Sequence, residues 1–288
     1  MNVTQDLRPS PIAGQWYPGH PERLASSVNH YLQAASLPAI PGEVIAVIAP
    51  HAGHRYSGAV AGYAFAALRD RRADLVAVIA PMHHPYREAV LTSAHQAYQT
   101  PLGNIPIDRT ALQTVADCLL EKTGTPISAV RADPEHSLEI ELPFLQQALV
   151  GEFQLLPLML RDHSEALTQA LGHCLAQVLA DRNAILVAST DLSHFYPQEL
   201  ANKLDHEMLR RIAAFDPLAV LQAEQEGQAF ACGRAAVATV MWAAQALGGD
   251  TVTVLNYATS GDISGDLSQV VGYGAVAISR PAGVVDPD

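Results

Sequence analysis

The chain has 288 residues, of which 49% are hydrophobic, so it can form one large α/β domain or two smaller ones around a sizeable core. Its 17 Lys and Arg residues against 29 Asp and Glu residues give a formal net charge of −12, which disfavours nucleic acid and anionic membrane surfaces as partners. No apolar run approaches the ~20 residues of a membrane span, and the N-terminus lacks a signal-peptide pattern, so we expect a cytoplasmic protein.

The first elements are a polar segment, a helix and a buried strand. Residues 1–20 are rich in turn signals and are interpreted as an N-terminal extension, followed by an amphipathic helix over 21–35. Residues 44–49 form an apolar run rich in β-branched side chains, typical of a strand buried on both faces of a parallel sheet. A polar loop with His51 and His54 follows, at the strand end where α/β sheets bind ligands.

The same pattern recurs twice. Residues 75–80 form an apolar run followed by His83 and His84, and residues 185–189 form another that leads to Asp191 and His194. Parallel neighbouring strands would gather these side chains at one edge of one sheet. The sequence therefore predicts a metal site at that edge.

A helix is predicted over residues 133–149. Asp133 is a plausible N-cap and Pro134 suits the first helical position. Glu135, His136 and Glu139 would then lie together on the first turns, where acids can also simply complement the helix dipole. We expect His136 to be neutral there, because a positive helix end disfavours a charged imidazole.

Cysteine use predicts thiols rather than disulfides. The three cysteines are an odd number without paired spacing. Cys118 and Cys174 fall among apolar residues of predicted helices and are interpreted as core side chains. Cys232 directly precedes a long small-residue helix within residues 230–249, and a helix N-terminus lowers the pKa of a thiol.

The C-terminal part is predicted to be β-rich, with a flexible tail over 282–288. Spacing of Gly272, Gly274 and Ala277 matches a dinucleotide-binding pattern, but no helix follows, so a nucleotide site is not expected. We expect a single domain over residues 1–288.

Several residues are candidates for metal binding or catalysis. Two neutral imidazoles and one anionic side chain would leave coordination positions open, as in catalytic zinc and non-haem iron sites. A nucleophilic relay of Asp191, Ser193 and His194 is disfavoured, because residues this close in sequence cannot readily point at one another. The candidates are His51, His83, His136, Glu139, Asp191, His194 and Cys232.

Six ordered motifs carry a family resemblance. AGQWYPG, APHAGHRYSG, PMHH, EHSLEIELPFL, STDLSH and ACGR, spread over nearly the whole chain, resemble the Memo family. The resemblance implies a single α/β domain with a mostly parallel central sheet flanked by helices, similar to the catalytic subunits of class III extradiol dioxygenases. It also implies a metal site of His51, His83 and Cys232, with Asp191 and His194 in the pocket. Bacterial members form a three-part set with an AMMECR-like protein and a radical-SAM enzyme, which are the implied partners.

Two departures bear on function. Extradiol dioxygenases usually bind iron with two histidines and a glutamate, whereas Cys232 offers a thiolate that suits iron, copper or zinc, which argues against ring cleavage. His54 stands where the family commonly has tyrosine, and it either adds an imidazole to the pocket or changes nothing.

The sequence therefore predicts a metal-dependent redox protein, with iron favoured over copper or zinc, that acts on an unidentified small substrate. Asp191 and His194 would lie on the same side of one helical turn. Asp191 would orient a histidine or a water molecule, and His194 would act as acid or base. His136 is the alternative candidate for the role of acid or base. The alternatives are a non-enzymatic metal-binding or scaffold protein and a zinc-dependent hydrolase.

Overall fold

The structure is a computed structural model that describes residues 6–281; the predicted tail and the first five residues lie outside this part. The strands are β1 (Leu7–Arg8), β2 (Glu43–Ala49), β3 (Leu75–Pro81), β4 (Val90–Ser93), β5 (Ala97–Thr100), β6 (Gly103–Pro106), β7 (Ile127–Val130), β8 (Gln154–Leu160), β9 (Ala184–Ser189), β10 (His194–Tyr196), β11 (Thr251–Thr259) and β12 (Val270–Arg280). The helices are α1 (Pro21–Ala34), α2 (His54–Ala66), α3 (Arg109–Thr123), α4 (Leu142–Ala148), α5 (Glu165–Leu179), α6 (Gln198–Ala213), α7 (Pro217–Gln222), α8 (Arg234–Ala246) and α9 (Gly261–Ser264), with a 3-10 turn at Glu139–Glu141.

A nine-stranded sheet forms the centre of the fold, in the order β10-β12-β2-β9-β3-β8-β4-β7 with β11 also paired to β12. The central strands β2, β9, β3 and β8 run parallel, whereas β12 joins β2 and β4 joins β8 in antiparallel fashion. The predicted strands at 44–49, 75–80 and 185–189 are thus confirmed as neighbours within the parallel part.

Helices flank this sheet in two groups. Helix α2 packs on β2, β11 and β12 and contacts α1 and α4, whereas α8 packs on β2, β3 and β9 and contacts α5 and α7. One hydrophobic core cluster includes residues from all of these layers, which confirms the predicted single α/β domain flanked by helices. Within residues 6–281, no helix combines the length and the apolar character needed to cross a bilayer.

The helix predicted over 133–149 is confirmed in its second part, as a 3-10 turn over Glu139–Glu141 and α-helix over Leu142–Ala148, but its predicted start is wrong. Residues 133–138 are irregular, and regular α-helix begins only at Leu142. The carboxylate of Asp133 does not cap a helix, because it accepts hydrogen bonds from Nε and Nη2 of Arg8 at 2.9 and 2.7 Å. A buried charge from 125 residues away therefore overrides the local helix signals.

Two cysteines predicted to be free thiols are paired. Cys118 of α3 and Cys174 of α5 form a disulfide between two packed helices. The prediction was wrong because the partners lie 56 residues apart, a spacing that carries no local signal. Cys232 is the free cysteine among the described residues.

Candidate metal centre

Three histidines converge at the carboxyl end of the parallel strands. His51 follows β2, His83 follows β3, and His136 arrives in the irregular segment before α4. One ring nitrogen from each can be chosen so that all three lie within 4.8 Å of one another. The strand ends do share one edge, as predicted, and this group could hold a metal ion.

Hydrogen bonding fixes the tautomer of His51. Its Nδ1 lies 2.8 Å from Oγ of Ser189, and that hydroxyl donates to the carbonyl of Ser137 at 2.6 Å. Because the hydroxyl proton is used there, Ser189 accepts the Nδ1 proton of His51. The Nε2 lone pair of His51 is therefore left facing the cluster, as a metal ligand requires.

Glu135 performs the same task for His83. Its Oε1 lies 3.0 Å from Nδ1 of His83, and its Oε2 accepts the backbone N–H of His83 at 2.6 Å. Burial acts to raise the pKa of Glu135, but the hydrogen bond from His83 and the backbone N–H of Ser137 overcome it and hold the pKa well below its usual range. From the sequence alone, Glu135 is predicted only as an acid near a helix start, because no local pattern indicates its contact with His83.

The loop that carries Glu135 is held by a buried arginine. Nη2 of Arg8 donates to the carbonyl of Glu135 at 2.7 Å, and Nη1 donates to Glu139 at 2.5 Å. Glu139 also accepts from the hydroxyl of Tyr17 at 2.7 Å. Glu139 therefore anchors the N-terminal segment and is absent from the histidine cluster.

Cys232 lies beside the cluster. Its Sγ is 3.1 Å from Nε2 of His51 and accepts the backbone N–H of Asp191 at 3.3 Å. Burial raises the pKa of this thiol to about 12, and the carboxylate of Asp191 adds to the shift, so the thiolate expected from helix position alone is wrong. A bound divalent cation would reverse that balance by favouring the deprotonated sulfur.

The position of Cys232 depends on Gly233. An added Cβ at Gly233 would lie 2.2 Å from the carbonyl oxygen of Ser189. The N–H of Gly233 also donates to Oγ1 of Thr190 at 2.9 Å. Glycine thus lets the start of α8 press directly on the end of β9, which places the thiol next to His51.

The charge state of the imidazoles suits metal binding. Burial lowers the pKa of His51 well below its ordinary value and lowers that of His136 to about 4, so both are neutral donors near neutral pH. The ring of His136 stacks on that of His83, with centroids 4.9 Å apart, and contacts Trp16 at 4.1 Å. His136, predicted as an acid or base, is thus placed among the potential ligands.

Asp191 and His194 do not share the expected helical turn. Residues 190–193 are irregular and His194 opens the short strand β10. The turn was wrong because Leu192 and Gly272 form a backbone hydrogen bond that draws this segment onto β12. Oδ1 of Asp191 accepts the backbone N–H of His51 at 2.8 Å, and burial raises the pKa of Asp191 to about 7.

His194 and His54 differ in their access to the site. Nδ1 of His194 donates to the carbonyl of Leu192 at 2.8 Å, and the side chain lines a cavity together with Cys232. Burial lowers its pKa, so it is a neutral base. His54 packs against Tyr17 and Phe144 and is not one of the three clustered histidines.

Comparison with known proteins identifies the family. The model of the family described as Memo-like protein matches residues 8–277. The chain belongs to the Memo family. It is 33% identical over 274 residues to a MEMO1 family protein of Nitrosopumilus maritimus, covering 94% of this chain and 98% of that relative. A Methanopyrus kandleri member of the MEMO1 family is 34% identical over 280 residues, with 93% and 98% covered.

Membership of the Memo family and the three-histidine group are together compatible with a metal-binding protein. The donor chemistry fits this reading. Imidazoles whose Nδ1 atoms are hydrogen-bonded, as in His51 and His83, together with an adjacent thiol, suit iron, copper or zinc. Burial lowers the pKa of His51 and His136, so neither of these two rings adds a positive charge that would oppose a cation near neutral pH.

Proposed function

We propose that this protein is a metal-dependent redox protein that binds one divalent ion and acts on a small organic substrate. Iron is the first candidate for the ion and copper is the second. His51, His83 and Cys232 would hold the ion, with His136 as a neighbouring imidazole. The observation that carries the proposal is the convergence of three imidazoles, with a thiol 3.1 Å from one of them.

The ion would supply the redox capacity, which the side chains of the site do not supply themselves. Glu135 and Ser189 keep the Nε2 atoms of His83 and His51 unprotonated and correctly directed. Asp191 fixes the backbone of His51. His194, whose Nδ1 is occupied by a carbonyl, presents Nε2 as a neutral base for a proton from a substrate hydroxyl or water.

The test is metal analysis of anaerobically purified protein, followed by oxygen uptake on added catechol. We expect close to one iron or copper per chain and metal-dependent turnover. His194→Ala should keep the metal and lose turnover, and exposed His173 on α5 provides a matched control, His173→Ala, that should change neither.

Other outcomes would favour the alternatives. Zinc alone, together with hydrolysis of ester substrates, would favour a zinc hydrolase. A tightly held metal with no turnover of any tested substrate would favour a non-enzymatic metal-binding protein. Either result would overturn the redox proposal.

A further inference from the structure

A small cavity opens directly beside Cys232. Its volume is about 190 Å³, and it is lined by Leu192, His194, Tyr196, Glu224, Phe230, Ala231, Cys232 and Arg234. A cavity of about 150 Å³ is enough to hold benzene in an engineered protein core. The cavity therefore has room for an organic molecule with the bulk of about one ring.

The walls of the cavity favour an apolar body. The rings of Tyr196 and Phe230 lie 5.7 Å apart at an angle of 30°, and Leu192 and Ala231 add aliphatic surface. Cys232 and His194 supply the part of the lining that belongs to the candidate metal centre. A ligand packed against this aromatic pair would thus lie in the same cavity as the thiol and the imidazole.

Arg234 provides a fixed recognition group in the same cavity. Its Nη1 forms an ion pair with Glu224, which holds the guanidinium in place. A guanidinium carries five N–H donors in a planar fork that matches a carboxylate, so donors remain after one contact is made. Arg234 is also the first residue of α8, where the helix dipole adds positive potential.

The surroundings of Arg234 extend this recognition to the surface. Arg234 also borders an adjoining surface cavity of about 530 Å³, whose charged lining contains Arg87, Glu88, Arg161 and Asp162. Arg161 donates to the backbone carbonyls of His84 and Tyr86. These two contacts position the guanidinium beside the opening without neutralising its positive charge. The lining thus combines the guanidinium groups of Arg87, Arg161 and Arg234 with the carboxylates of Glu88 and Asp162.

We propose that the cavity binds a small organic carboxylate with an apolar body of about one ring, its carboxylate on Arg234 and its body packed against the contacting rings of Tyr196 and Phe230. The opposite end of such a ligand faces Cys232 and His194. This assignment names the substrate class for the redox function proposed above and rests on that function only for the reaction, since the binding contacts do not involve the metal.

Binding is tested with three ligands of matched shape and different charge: benzoate, benzyl alcohol and benzylamine. Affinities are measured by calorimetry on the full chain, both metal-loaded and chelator-treated, with metal content determined in each sample. We expect benzoate to bind at least 10-fold more tightly than benzyl alcohol, and benzylamine more weakly than either.

Variants identify the group responsible. Arg234→Gln should remove the preference for benzoate over benzyl alcohol, whereas the control Arg69→Gln, which changes an exposed arginine outside the lining of both cavities, should keep it. Glu224→Gln removes the competing negative charge and should tighten benzoate binding. Phe230→Ala should weaken benzoate and benzyl alcohol alike. If Arg234→Gln fails to fold by circular dichroism, Arg234→Lys, which keeps the charge without the fork, should weaken benzoate several-fold.

The proposal fails if benzoate and benzyl alcohol bind equally, if a folded Arg234→Gln or Arg234→Lys protein binds benzoate like the wild type, or if benzylamine binds best and Glu224→Gln weakens it. Failure of the redox function is recognised separately. Arg234-dependent benzoate binding by a protein without metal or turnover would support this site and contradict the proposed function alone.

Discussion

Oε1 of Glu135 lies 3.0 Å from Nδ1 of His83 while Oε2 of the same carboxylate accepts the backbone N–H of His83 at 2.6 Å. One buried side chain thus fixes both the ring and the backbone of a potential metal ligand. Such carboxylate–histidine pairs hold the tautomer of metal ligands and raise their basicity.

We therefore predict that Glu135→Gln weakens metal binding about 10- to 100-fold, because the amide cannot hold the Nδ1 proton of His83 as a carboxylate does. The dissociation constant is measured by competition with a chelator. The exposed acid Glu88 offers the control Glu88→Gln, which should bind metal like the wild type. Equal affinity in the Glu135 and Glu88 variants would show that Glu135 is only a packing residue.

Cys232 and His136 are the two candidates for the third metal ligand beside His51 and His83. Sγ of Cys232 is 3.1 Å from Nε2 of His51, whereas His136 belongs to the geometric group of three histidines. We predict that Cys232→Ser loses more metal than His136→Ala, because serine replaces an anionic sulfur with a weak neutral donor. Metal content per chain after dialysis gives the comparison. The reverse order would assign the ion to the three histidines.

The parallel part of the sheet could be predicted because its strands signal themselves locally. Each of β2, β3 and β9 is a continuous apolar run, fully or almost fully buried, that ends where polar side chains begin. The edges of the sheet carry no such signal. β10 is three residues long and pairs with β12 through a register shift, so only tertiary contacts define it.

The potential metal ligands could be predicted from the sequence better than the residues that hydrogen-bond to them. His51 and His83 follow recognisable strands, but Glu135 lies in a segment whose Asp-Pro-Glu start is typical of a helix. That segment is irregular because Arg8 binds Asp133 and the carbonyl of Glu135 from a distant part of the chain. Periodicity cannot show a contact made across 125 residues.

The contact of Gly233 with β9 predicts a stability cost for any side chain there. Gly233→Ala would place Cβ 2.2 Å from the backbone oxygen of Ser189, so β9 or α8 must shift. We expect a loss of about 1–3 kcal/mol of unfolding free energy. Gly53→Ala is the control, because its nearest neighbour would be at an ordinary 3.4 Å. Urea unfolding measures both, and equal stability of the two variants would contradict the close approach.

The Cys118–Cys174 disulfide predicts a thiol count and a stability effect. Only Cys232 should react with a thiol reagent in unfolded, non-reduced protein, against three cysteines after reduction. Cys118→Ser should lower the unfolding free energy by about 2–4 kcal/mol, because it releases a closed loop in the unfolded chain. Cys232→Ser is the matched substitution without a disulfide. Three reactive thiols before reduction would contradict the pairing.

His54 predicts a specific loss of stability in acid. Its ring packs against Tyr17, Tyr31 and Phe144, and burial lowers its pKa to about 4. Nε2 lies 3.3 Å from the carbonyl of Ile140, while Nδ1 is buried without a hydrogen-bond partner in the described part of the chain. Protonation in the folded state would thus place a charge among aromatic rings.

The sign follows from the two pKa values of His54. The unfolded chain takes up the proton near pH 6.5, whereas the folded chain does so only near pH 4, so the stability contribution is complete above about pH 6.5 and is lost as the pH falls toward 4. Between pH 7.5 and 4.5 this group alone costs about 2.5 kcal/mol. His54→Phe should remove that part of the acid sensitivity, since phenylalanine fills the same aromatic cluster without titrating.

Urea unfolding of both proteins at the two pH values gives the difference directly, because the other titrating histidines contribute equally to each. His173→Phe, which changes an exposed histidine of α5, should keep the acid sensitivity of the wild type. If His54→Phe loses as much stability on acidification as the wild type, His54 is already accessible to protons in the folded state. That result would mean that the His54 side chain faces the pocket and is not enclosed by the aromatic cluster.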